Sequence, residues 1–376
     1  MAADFIFIFL YKTKKAPAAP PPPPIIYCSI QMTAAFQLEP VISNYSTFHV
    51  TYLNLTGKDG PEMSEKVVIT GGAGFIGSNL AAALSPDNDV AVIDDLSAGR
   101  AGNLSGLDVQ FIRGSINDLD LLKDAFCGAS CVFHQAAIAS VRRSVEDPAL
   151  TNKVGIDGTL NVLIAARDAG VPRLVQASSA AVYGSSPSLP KREDMLPEPL
   201  SPYAVSKLAA EHYATVFHEL YGLKAVSLRY FNVFGPRQDP SSEYSGVISR
   251  FISALLAGER PVIYGDGEQT RDFVYVADVV RANILAERAQ PGIYNIACGR
   301  SISLNALLRA ICKVLGRDVS PQYMAARPGD IRHSLADISR SKGMGYSPVF
   351  DLNRGLRDTL KWFSGQQLED CPARNI

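Results

Sequence analysis

A tyrosine and a lysine four positions apart are the first candidates for chemistry in this sequence. Tyr203 and Lys207 follow Ser201 and Pro202, which favour the start of a helix, so the phenol and the ammonium share one helical face. A phenol with its ordinary pKa near 10 is a poor base at neutral pH, but a neighbouring positive charge favours the phenolate. Ser179 follows a predicted strand and can relay a proton. The sequence therefore predicts Ser179, Tyr203 and Lys207 as catalytic residues, with Tyr203 as the general base.

A glycine-rich segment between the first predicted strand and helix indicates a dinucleotide site. Gly71–Gly77 fits both G-x-G-x-x-G and G-x-x-G-x-x-G, a turn that lets the backbone approach a pyrophosphate held at a helix N-terminus. The second predicted strand ends at Asp94, 23 residues after Gly71, where a carboxylate accepts ribose hydrogen bonds and repels a 2′-phosphate. These features favour NAD, although Arg100 leaves NADP open.

The composition excludes several other classes of function. Among 376 residues, 36 basic and 37 acidic side chains give a formal charge of −1, which attracts neither nucleic acid nor an anionic membrane surface. The sequence contains no apolar run long enough to span a membrane, and its N-terminus lacks the order of a signal peptide. The six cysteines have no zinc-type spacing. We therefore predict a cytoplasmic protein with reduced thiols and no metal.

The chain divides near Met63. Residues 1–62 are proline-rich and aperiodic, which predicts a disordered or spurious N-terminal extension. From Met63 onward, strand and helix patterns alternate, which predicts an α/β fold with a Rossmann-type doubly wound parallel sheet and a smaller α/β C-terminal substrate lobe. We assign 63–230 to the NAD-binding domain and 231–376 to the substrate lobe, with about 272–298 returning to the Rossmann domain.

Individual elements follow from the same patterns. The predicted strands are Lys66–Thr70, Val90–Ile93, Val109–Ile112, Ser130–Gln135, Arg173–Ala177 and Lys224–Arg229. The predicted helices are one that ends near Leu84 and those near Asp118–Phe126, Asn152–Ala169, Pro202–Tyr221, Gly246–Ala257 and Leu352–Phe363.

Over nearly all of residues 65–365 the sequence resembles the extended short-chain dehydrogenase/reductase family and, more closely, its NAD-dependent nucleotide-sugar 4-epimerases. The resemblance lies in VVITGGAGFIGSNL, VIDDLSAGR, HQAAIASVRRSVEDP, ASSAAVYG, SPYAVSK, RYFNVFGPRQDP, GDGEQTRDFVYV and RPGDIRHSLADISRS, in this order. It implies that NAD takes a hydride from C4 of a UDP-hexose while Tyr203, helped by Ser179, removes the hydroxyl proton. The hydride then returns to the opposite face of the 4-ketose. Lys207 is implied to hold the nicotinamide ribose and to lower the pKa of Tyr203.

The resemblance also implies two sets of binding residues and a partner. The implied cofactor residues are Gly71, Gly74, Phe75, Ile76, Gly77, Asp94, Asp95, Ser97, Ser115, Ile116, Gln135, Ala136, Ala137, Tyr203 and Lys207. The implied substrate residues are Ser140, Ser179, Asn232, Arg271, Arg327, Asp330 and Ser334. Arg271 and Arg327 suit a pyrophosphate because a guanidinium donates bidentate hydrogen bonds. Family members usually pair two long helices across a homodimer as a four-helix bundle, so we expect a homodimer.

Two positions indicate which branch of the family this sequence resembles most. Family dehydratases carry an acidic pair after the serine, whereas Ala180 and Ala181 follow Ser179 here, which makes dehydration improbable. Ser334 occupies a position that is often a bulky tyrosine in 4-epimerases restricted to non-acetylated hexoses. The small side chain favours UDP-N-acetylglucosamine and UDP-N-acetylgalactosamine, with UDP-glucose and UDP-galactose also possible substrates.

One departure and two alternatives stay open. Ser115 stands where the family commonly has an aspartate that contacts adenine, so adenine binding is expected to be altered. A UDP-glucuronate 4-epimerase or decarboxylase on the same scaffold is the first alternative, with Arg142 and Arg143 near the substrate side. A non-catalytic member that senses NAD or binds RNA is the second.

Overall fold

The structure, a computed structural model, describes residues 64–239, 246–326 and 331–369. The predicted N-terminal extension, residues 1–62, and two predicted substrate residues, Arg327 and Asp330, lie outside the described residues. All the described residues belong to one compact unit.

The described residues form strands that alternate with helices. The strands are β1 (Glu65–Thr70), β2 (Asn88–Asp94), β3 (Gln110–Arg113), β4 (Cys131–His134), β5 (Arg173–Ser179), β6 (Lys224–Tyr230), β7 (Asn232–Phe234), β8 (Val262–Tyr264), β9 (Thr270–Arg271), β10 (Phe273–Tyr275), β11 (Gly292–Ile296), β12 (Ile302–Ser303) and β13 (Gln322–Met324). The helices are α1 (Phe75–Leu84), α2 (Leu119–Phe126), α3 (Val141–Glu146), α4 (Pro148–Asn152), α5 (Gly158–Asp168), α6 (Pro202–Tyr221), α7 (Val247–Leu256), α8 (Val276–Ala286), α9 (Leu304–Leu315), α10 (Ser339–Gly343) and α11 (Leu352–Glu369).

Seven of the strands make one parallel sheet in the order β11-β6-β5-β4-β1-β2-β3. Its inner strands are buried along nearly their whole length, as expected when helices cover both faces. The order reverses between β1 and β4, so the crevice outside the carboxyl ends of these two strands is where a doubly wound sheet binds its ligand. The predicted Rossmann-type fold class is confirmed.

Helix α6, which carries the candidate tyrosine and lysine, has clear start and stop signals. The Ser201 hydroxyl accepts a hydrogen bond from the backbone N–H of Ala204 at 3.2 Å, and Pro202 occupies the first turn. The helix ends at Gly222, which adopts φ +73° in the left-handed region. These residues fix the length of α6 and hence the turn in which each of its side chains lies.

The segment before α5 differs from the predicted single helix, Asn152–Ala169. Helix α4 begins earlier, at Pro148, because the Asp147 carboxylate accepts a hydrogen bond from Leu150 N–H at 2.9 Å. A turn of π-helix at Lys153–Asp157 then joins α4 to α5. In this turn Gly155 packs so closely on α6 that a Cβ would lie 2.7 Å from the Ser206 hydroxyl. A glycine is therefore needed where the two helices meet.

The chain after β6 builds three small two-stranded sheets, β7 with β10, β9 with β12, and β8 with β13. Its helices α7, α9 and α11 pack on a separate apolar cluster that includes Phe251, Leu307, Ile311 and Leu356. Strand β11 lies at the edge of the main sheet beside β6, so part of 272–298 belongs to that sheet. The assignment of domains stays a prediction.

Most of the predicted elements are confirmed to within one or two residues at their ends. Helices α3, α8, α9 and α10 and strands β7 to β13 lacked a specific prediction, and α11 continues six residues beyond the predicted Phe363. Within the described residues, no helix has both the length and the apolar content to cross a membrane. The cytoplasmic location stays a prediction.

Candidate active site

The glycine turn between β1 and α1 leaves no room for side chains at two positions. Gly71 has φ +70°, and a Cβ there would lie 2.5 Å from the backbone nitrogen of Ala136. A Cβ on Gly77 would lie 2.2 Å from the carbonyl oxygen of Gly71. Gly74 begins α1 without any side-chain cap. The turn therefore places main-chain atoms and the N-terminus of α1 at the crevice between β1 and β4. Backbone N–H groups at a helix N-terminus suit the binding of a pyrophosphate.

Asp94, at the end of β2, supports the loops on either side of it. Its carboxylate accepts hydrogen bonds from Ala73 N–H at 3.0 Å and from Leu96 N–H at 2.8 Å. Burial raises the pKa of Asp94, the two backbone N–H groups oppose this, and the nearby Asp95 raises it further. Each carboxylate oxygen keeps a lone pair after one such bond, so Asp94 retains acceptor capacity for ribose hydroxyls.

A cavity of about 350 Å³ lies along these loops. All of the cofactor residues implied by the resemblance line it, from the glycine turn through Asp94, Ser115 and Gln135 to Tyr203 and Lys207. The close approach of Gly71 to Ala136, the uncapped start of α1 and the Asp94 acceptor fit an NAD molecule. These residues would bind its pyrophosphate and adenosine ribose.

The three predicted catalytic residues meet where α6 crosses the carboxyl end of β5. Lys207 is 6% exposed, and its ammonium donates a hydrogen bond to the carbonyl oxygen of Ala177 at 2.8 Å. Burial lowers the pKa of Lys207 to about 8, and the Glu211 carboxylate opposes this. Burial raises the pKa of Tyr203, while a hydrogen bond from the Ser179 hydroxyl acts in the opposite direction. The protein thus brings Ser179, Tyr203 and Lys207 together.

The expected effect of Lys207 on the pKa of Tyr203 stays a prediction. Burial raises the pKa of the Tyr203 phenol. The Ser179 hydroxyl opposes this and favours the phenolate. The protein alone therefore favours a neutral Tyr203 phenol.

Ser115 lines the same cavity, and its hydroxyl has a hydrogen-bond partner within the protein. Its hydroxyl oxygen accepts hydrogen bonds from the backbone N–H of Asn117 at 3.3 Å and from the Asn117 amide at 3.4 Å. The Ser115 hydroxyl proton is left as a donor. Ile116, next in sequence, is buried in the apolar cluster beneath the sheet.

The predicted substrate residues that the structure describes lie in three places: at the dinucleotide cavity, at the end of β5 and around residues 270–272. Ser140 lines the dinucleotide cavity and caps α3 by accepting a hydrogen bond from Arg143 N–H at 3.1 Å. Ser179, Asn232, Arg271 and Ser334 are not part of the lining of that cavity.

The backbone of residues 270–272 connects three of the predicted substrate residues. The Asn232 amide donates to the carbonyl oxygen of Asp272 at 3.3 Å. Ser334 N–H donates to the carbonyl oxygen of Thr270 at 3.1 Å, and the Arg271 guanidinium donates to the same oxygen at 2.9 Å. Asn232, Arg271 and Ser334 are therefore brought together on the C-terminal side of the molecule.

The fully buried carboxylate of Asp272 fixes this region. It accepts hydrogen bonds from Cys298 N–H at 2.9 Å and from Ala336 N–H at 3.3 Å. Burial raises the pKa of Asp272 to about 6, and backbone N–H groups oppose this. The carboxylate thereby ties β9 and β10 to the segments around residues 298 and 336.

Sequence reasoning missed several residues of the site. The Tyr230 hydroxyl lies 3.2 Å from Gln135 Oε1 and 3.0 Å from Asn283 Oδ1, which makes a polar network between β6, β4 and the buried face of α8. Trp362 on α11 lines the cavity although it lies far from the motifs in sequence. Glu211 was detectable, because it lies four residues after Lys207 on the same helical face.

The histidine beside Lys207 has structural partners. His134 Nδ1 lies 2.7 Å from the Thr70 hydroxyl and Nε2 lies 3.0 Å from the Thr159 hydroxyl. Burial lowers the pKa of His134 to about 3, and the Lys207 charge adds to this. In the described ranges no three His, Cys, Asp or Glu side chains come together as a metal site.

Comparisons with known proteins agree on one family. The sequence pattern of the NAD dependent epimerase/dehydratase family matches residues 67–297. A UDP-N-acetylglucosamine 4-epimerase from Methanobrevibacter ruminantium M1, solved with UDP-N-acetylmuramic acid, is 46% identical with a TM-score of 0.79, over 81% of this chain and 100% of that chain. A putative UDP-glucose 4-epimerase from Methanocaldococcus jannaschii is 40% identical over 299 residues, 79% of this chain and 97% of that protein. A UDP-glucuronic acid 4-epimerase from Bacillus cereus, solved with UDP-glucuronic acid and NAD, is 32% identical with a TM-score of 0.74, over 80% of this chain and 99% of that chain.

The tight glycine turn gives a direct test of the dinucleotide site. Gly77→Ala would force a methyl group against the Gly71 carbonyl, so the turn must shift, and we expect NAD affinity to fall at least about tenfold, or about 1.4 kcal/mol. Gly102→Ala is the matched control, because a Cβ there meets nothing within 4 Å. Fluorescence of Trp362, the single tryptophan of the chain, measures binding because its side chain lines the cavity. Equal affinity in both variants would contradict the assignment.

Proposed function

Because this chain belongs to the NAD dependent epimerase/dehydratase family and is a UDP-sugar 4-epimerase that uses NAD, we propose that Tyr203, Ser179 and Lys207 invert C4 of an N-acetylated UDP-hexose. The substrate pair is UDP-N-acetylglucosamine and UDP-N-acetylgalactosamine, with UDP-glucose and UDP-galactose as further substrates. The observation that carries the catalytic assignment is the convergence of these three side chains at the end of β5, beside the dinucleotide cavity.

Each catalytic residue has a distinct task in this proposal. Tyr203 removes the proton of the C4 hydroxyl, and Ser179 donates a hydrogen bond that stabilises the phenolate. Lys207, buried as a cation, donates hydrogen bonds to the nicotinamide ribose. When bound, NAD supplies a hydride acceptor for C4 and a positive charge that favours the Tyr203 phenolate. In the second half of the reaction, burial favours the return of the proton from Tyr203 to the inverted sugar.

The side chain at position 334 supports the acetylated substrates. Ser334 is partly buried and adjoins the backbone that carries Arg271 and contacts Asn232. A hydroxymethyl group at this position leaves more space than a phenol for an N-acetyl substituent. The 46% identical relative named as a UDP-N-acetylglucosamine 4-epimerase supports the same choice.

UDP-glucuronate remains the second candidate substrate. Arg143 lines the dinucleotide cavity beside Ser140, which puts a cation near the substrate side, whereas Arg142 pairs with Glu146 at 2.8 Å on the surface. A guanidinium can bind a sugar carboxylate with two hydrogen bonds. The 32% identical relative solved with UDP-glucuronic acid is consistent with this alternative.

We further propose that the protein is a homodimer formed through α5 and α6. Helix α6 exposes Val205, Val216 and Leu220, with exposed fractions of 48%, 46% and 69%, on one face. Val141 and Val145 on the neighbouring α3 are also exposed. A row of exposed apolar side chains on a long helix is typical of a helix-to-helix interface.

Removal of the phenol tests the reaction and a sugar panel tests the substrate. With UDP-glucose, UDP-N-acetylglucosamine and UDP-glucuronate, we expect chromatographic separation to show C4 epimers of the first two. Tyr203→Phe should lower kcat by about 10²–10⁴-fold because the general base is lost, with NAD still bound. Tyr221→Phe, at the exposed end of the same helix, should retain full activity. Unimpaired epimerisation by Tyr203→Phe would refute the mechanism, and turnover of UDP-glucuronate alone would favour the second candidate.

The size of residue 334 is tested by enlarging it. Ser334→Tyr should lower kcat/KM for UDP-N-acetylglucosamine at least about tenfold while that for UDP-glucose changes little, because the phenol occupies the acetyl space. Ser334→Ala, which keeps the side chain small, should retain both activities. An equal loss on both sugars in the tyrosine variant would argue against this role of Ser334.

The dimer is tested by light scattering at micromolar concentration. The wild-type chain should scatter as a dimer, and Leu220→Asp should give a monomer because it buries a carboxylate at the proposed interface. Leu196→Asp is the control, since Leu196 is 80% exposed and lies outside these helices. A wild-type monomer would refute the interface.

A further inference from the structure

A buried carboxylate with no task in the proposed mechanism lies next to the catalytic residues. The Glu211 side chain is 1% exposed and lies four residues beyond Lys207 on α6. Its Oε1 accepts a hydrogen bond from the Ser178 hydroxyl at 2.5 Å. The last three residues of β5 therefore each have a partner on α6: Ala177 with Lys207, Ser178 with Glu211, and Ser179 with Tyr203.

Arg229 on β6 makes burial of this carboxylate possible. Its Nε donates to Glu211 Oε1 at 2.8 Å and its Nη2 donates to Oε2 at 2.7 Å, and the arginine side chain is 2% exposed. Removing such a pair from water often costs more than the attraction returns, and apolar residues of similar volume frequently pack as well. Packing alone therefore gives little reason for a carboxylate at this place.

The need to keep Lys207 charged gives a reason for a carboxylate at position 211. Burial lowers the pKa of Lys207 to about 8, and the Glu211 carboxylate opposes this by favouring the ammonium. His134 on β4 also faces Lys207, but burial lowers its pKa to about 3, so it is neutral at neutral pH. Tyr203, one turn away on the same helix, is kept neutral by burial, and Arg229 is paired with Glu211. Glu211 thus supplies the negative charge that favours the Lys207 ammonium.

We propose that Glu211 is a positioning residue with two effects on the catalytic site. Through Ser178 it fixes the end of β5, and with it Ser179, against α6. Through its charge it keeps Lys207 as an ammonium that can donate to the nicotinamide ribose. Arg229 orients the carboxylate through two hydrogen bonds. This inference rests on the proposed roles of Ser179 and Lys207.

The effect of the charge is tested by the double variant E211Q/R229M, which removes both members of the pair and leaves no unpaired buried charge. Lys207 acts as an ammonium, so its contribution is lost as the pH rises through its pKa. Without Glu211 that pKa falls further. The alkaline limb of kcat/KM and the pH at which NAD affinity declines, read from Trp362 fluorescence, should both move to lower pH, because Glu211 is the charge that acts on Lys207. Glu219→Gln, an exposed glutamate on the same helix, should leave both unchanged.

A folded double variant that keeps the wild-type alkaline limb would overturn the charge effect, since a purely structural role would lower only the unfolding temperature. If the double variant does not fold, E211Q/R229Q decides the matter, because it removes both charges and keeps hydrogen-bonding groups on both side chains. It should also move the alkaline limb to lower pH, and a wild-type limb in this variant would overturn the charge effect.

The effect on position is tested separately by Ser178→Ala, which removes the hydroxyl but keeps both charges. We expect kcat to fall about tenfold because Ser179 is less well placed, with the alkaline limb unchanged. A wild-type kcat in this variant would overturn the positional effect. Failure of the proposed function itself would look different, because the wild-type chain would then produce no C4 epimer.

Discussion

Helix α6 lies across the carboxyl end of β5 so that three of its successive turns contact the last three residues of the strand. Tyr203, Lys207 and Glu211 recur every four residues and thus face the same way, while Ala177 to Ser179 present a carbonyl and two hydroxyls to them. A shift of the helix by one turn would pair each side chain with the wrong partner. The chemistry of the site depends on this register, and the cap at Ser201 helps to set it.

The same contact determines the electrostatics. Because α6 packs tightly on the sheet, Lys207 is removed from water and its pKa falls, while that of Tyr203 rises. Both shifts disfavour the charged forms that proton transfer and ribose binding require. The Ser179 hydroxyl and the Glu211 carboxylate oppose them, each for one of the two groups. Burial thus makes the site sensitive to a few neighbouring dipoles and charges.

The topology of the main sheet brings the cofactor-binding loops close to these catalytic residues. The strand order reverses between β1 and β4, and the glycine turn after β1 approaches the segment after β4 so closely that only Gly71 fits. The substrate side is organised differently, since the buried Asp272 carboxylate joins loops that are distant in sequence. The cofactor region depends on glycines, whose lack of a side chain lets two backbone segments approach. The substrate region depends on the buried carboxylate of Asp272.

The sequence alone determined the alternating strands and helices, the glycine turn, the acidic end of β2 and the Tyr203–Lys207 pair on one helical face. Each of these features depends only on residues that are close together along the chain. It also carried the family resemblance that indicated NAD and a UDP-sugar. The sequence did not determine the sign of the pKa shift at Tyr203, since that depends on how much water the packed helix excludes.

Only the tertiary structure decided which distant residues share a site. Arg229 on β6 binds Glu211 on α6, Asn283 binds Gln135 across 148 residues, and Trp362 on the last helix lines the cavity. The number of residues between these contacting groups follows no sequence pattern. The order of strands in the sheet and the packing of the C-terminal helices bring them together. Local patterns therefore predicted the parts of the site, and long-range packing determined how their charges act on one another.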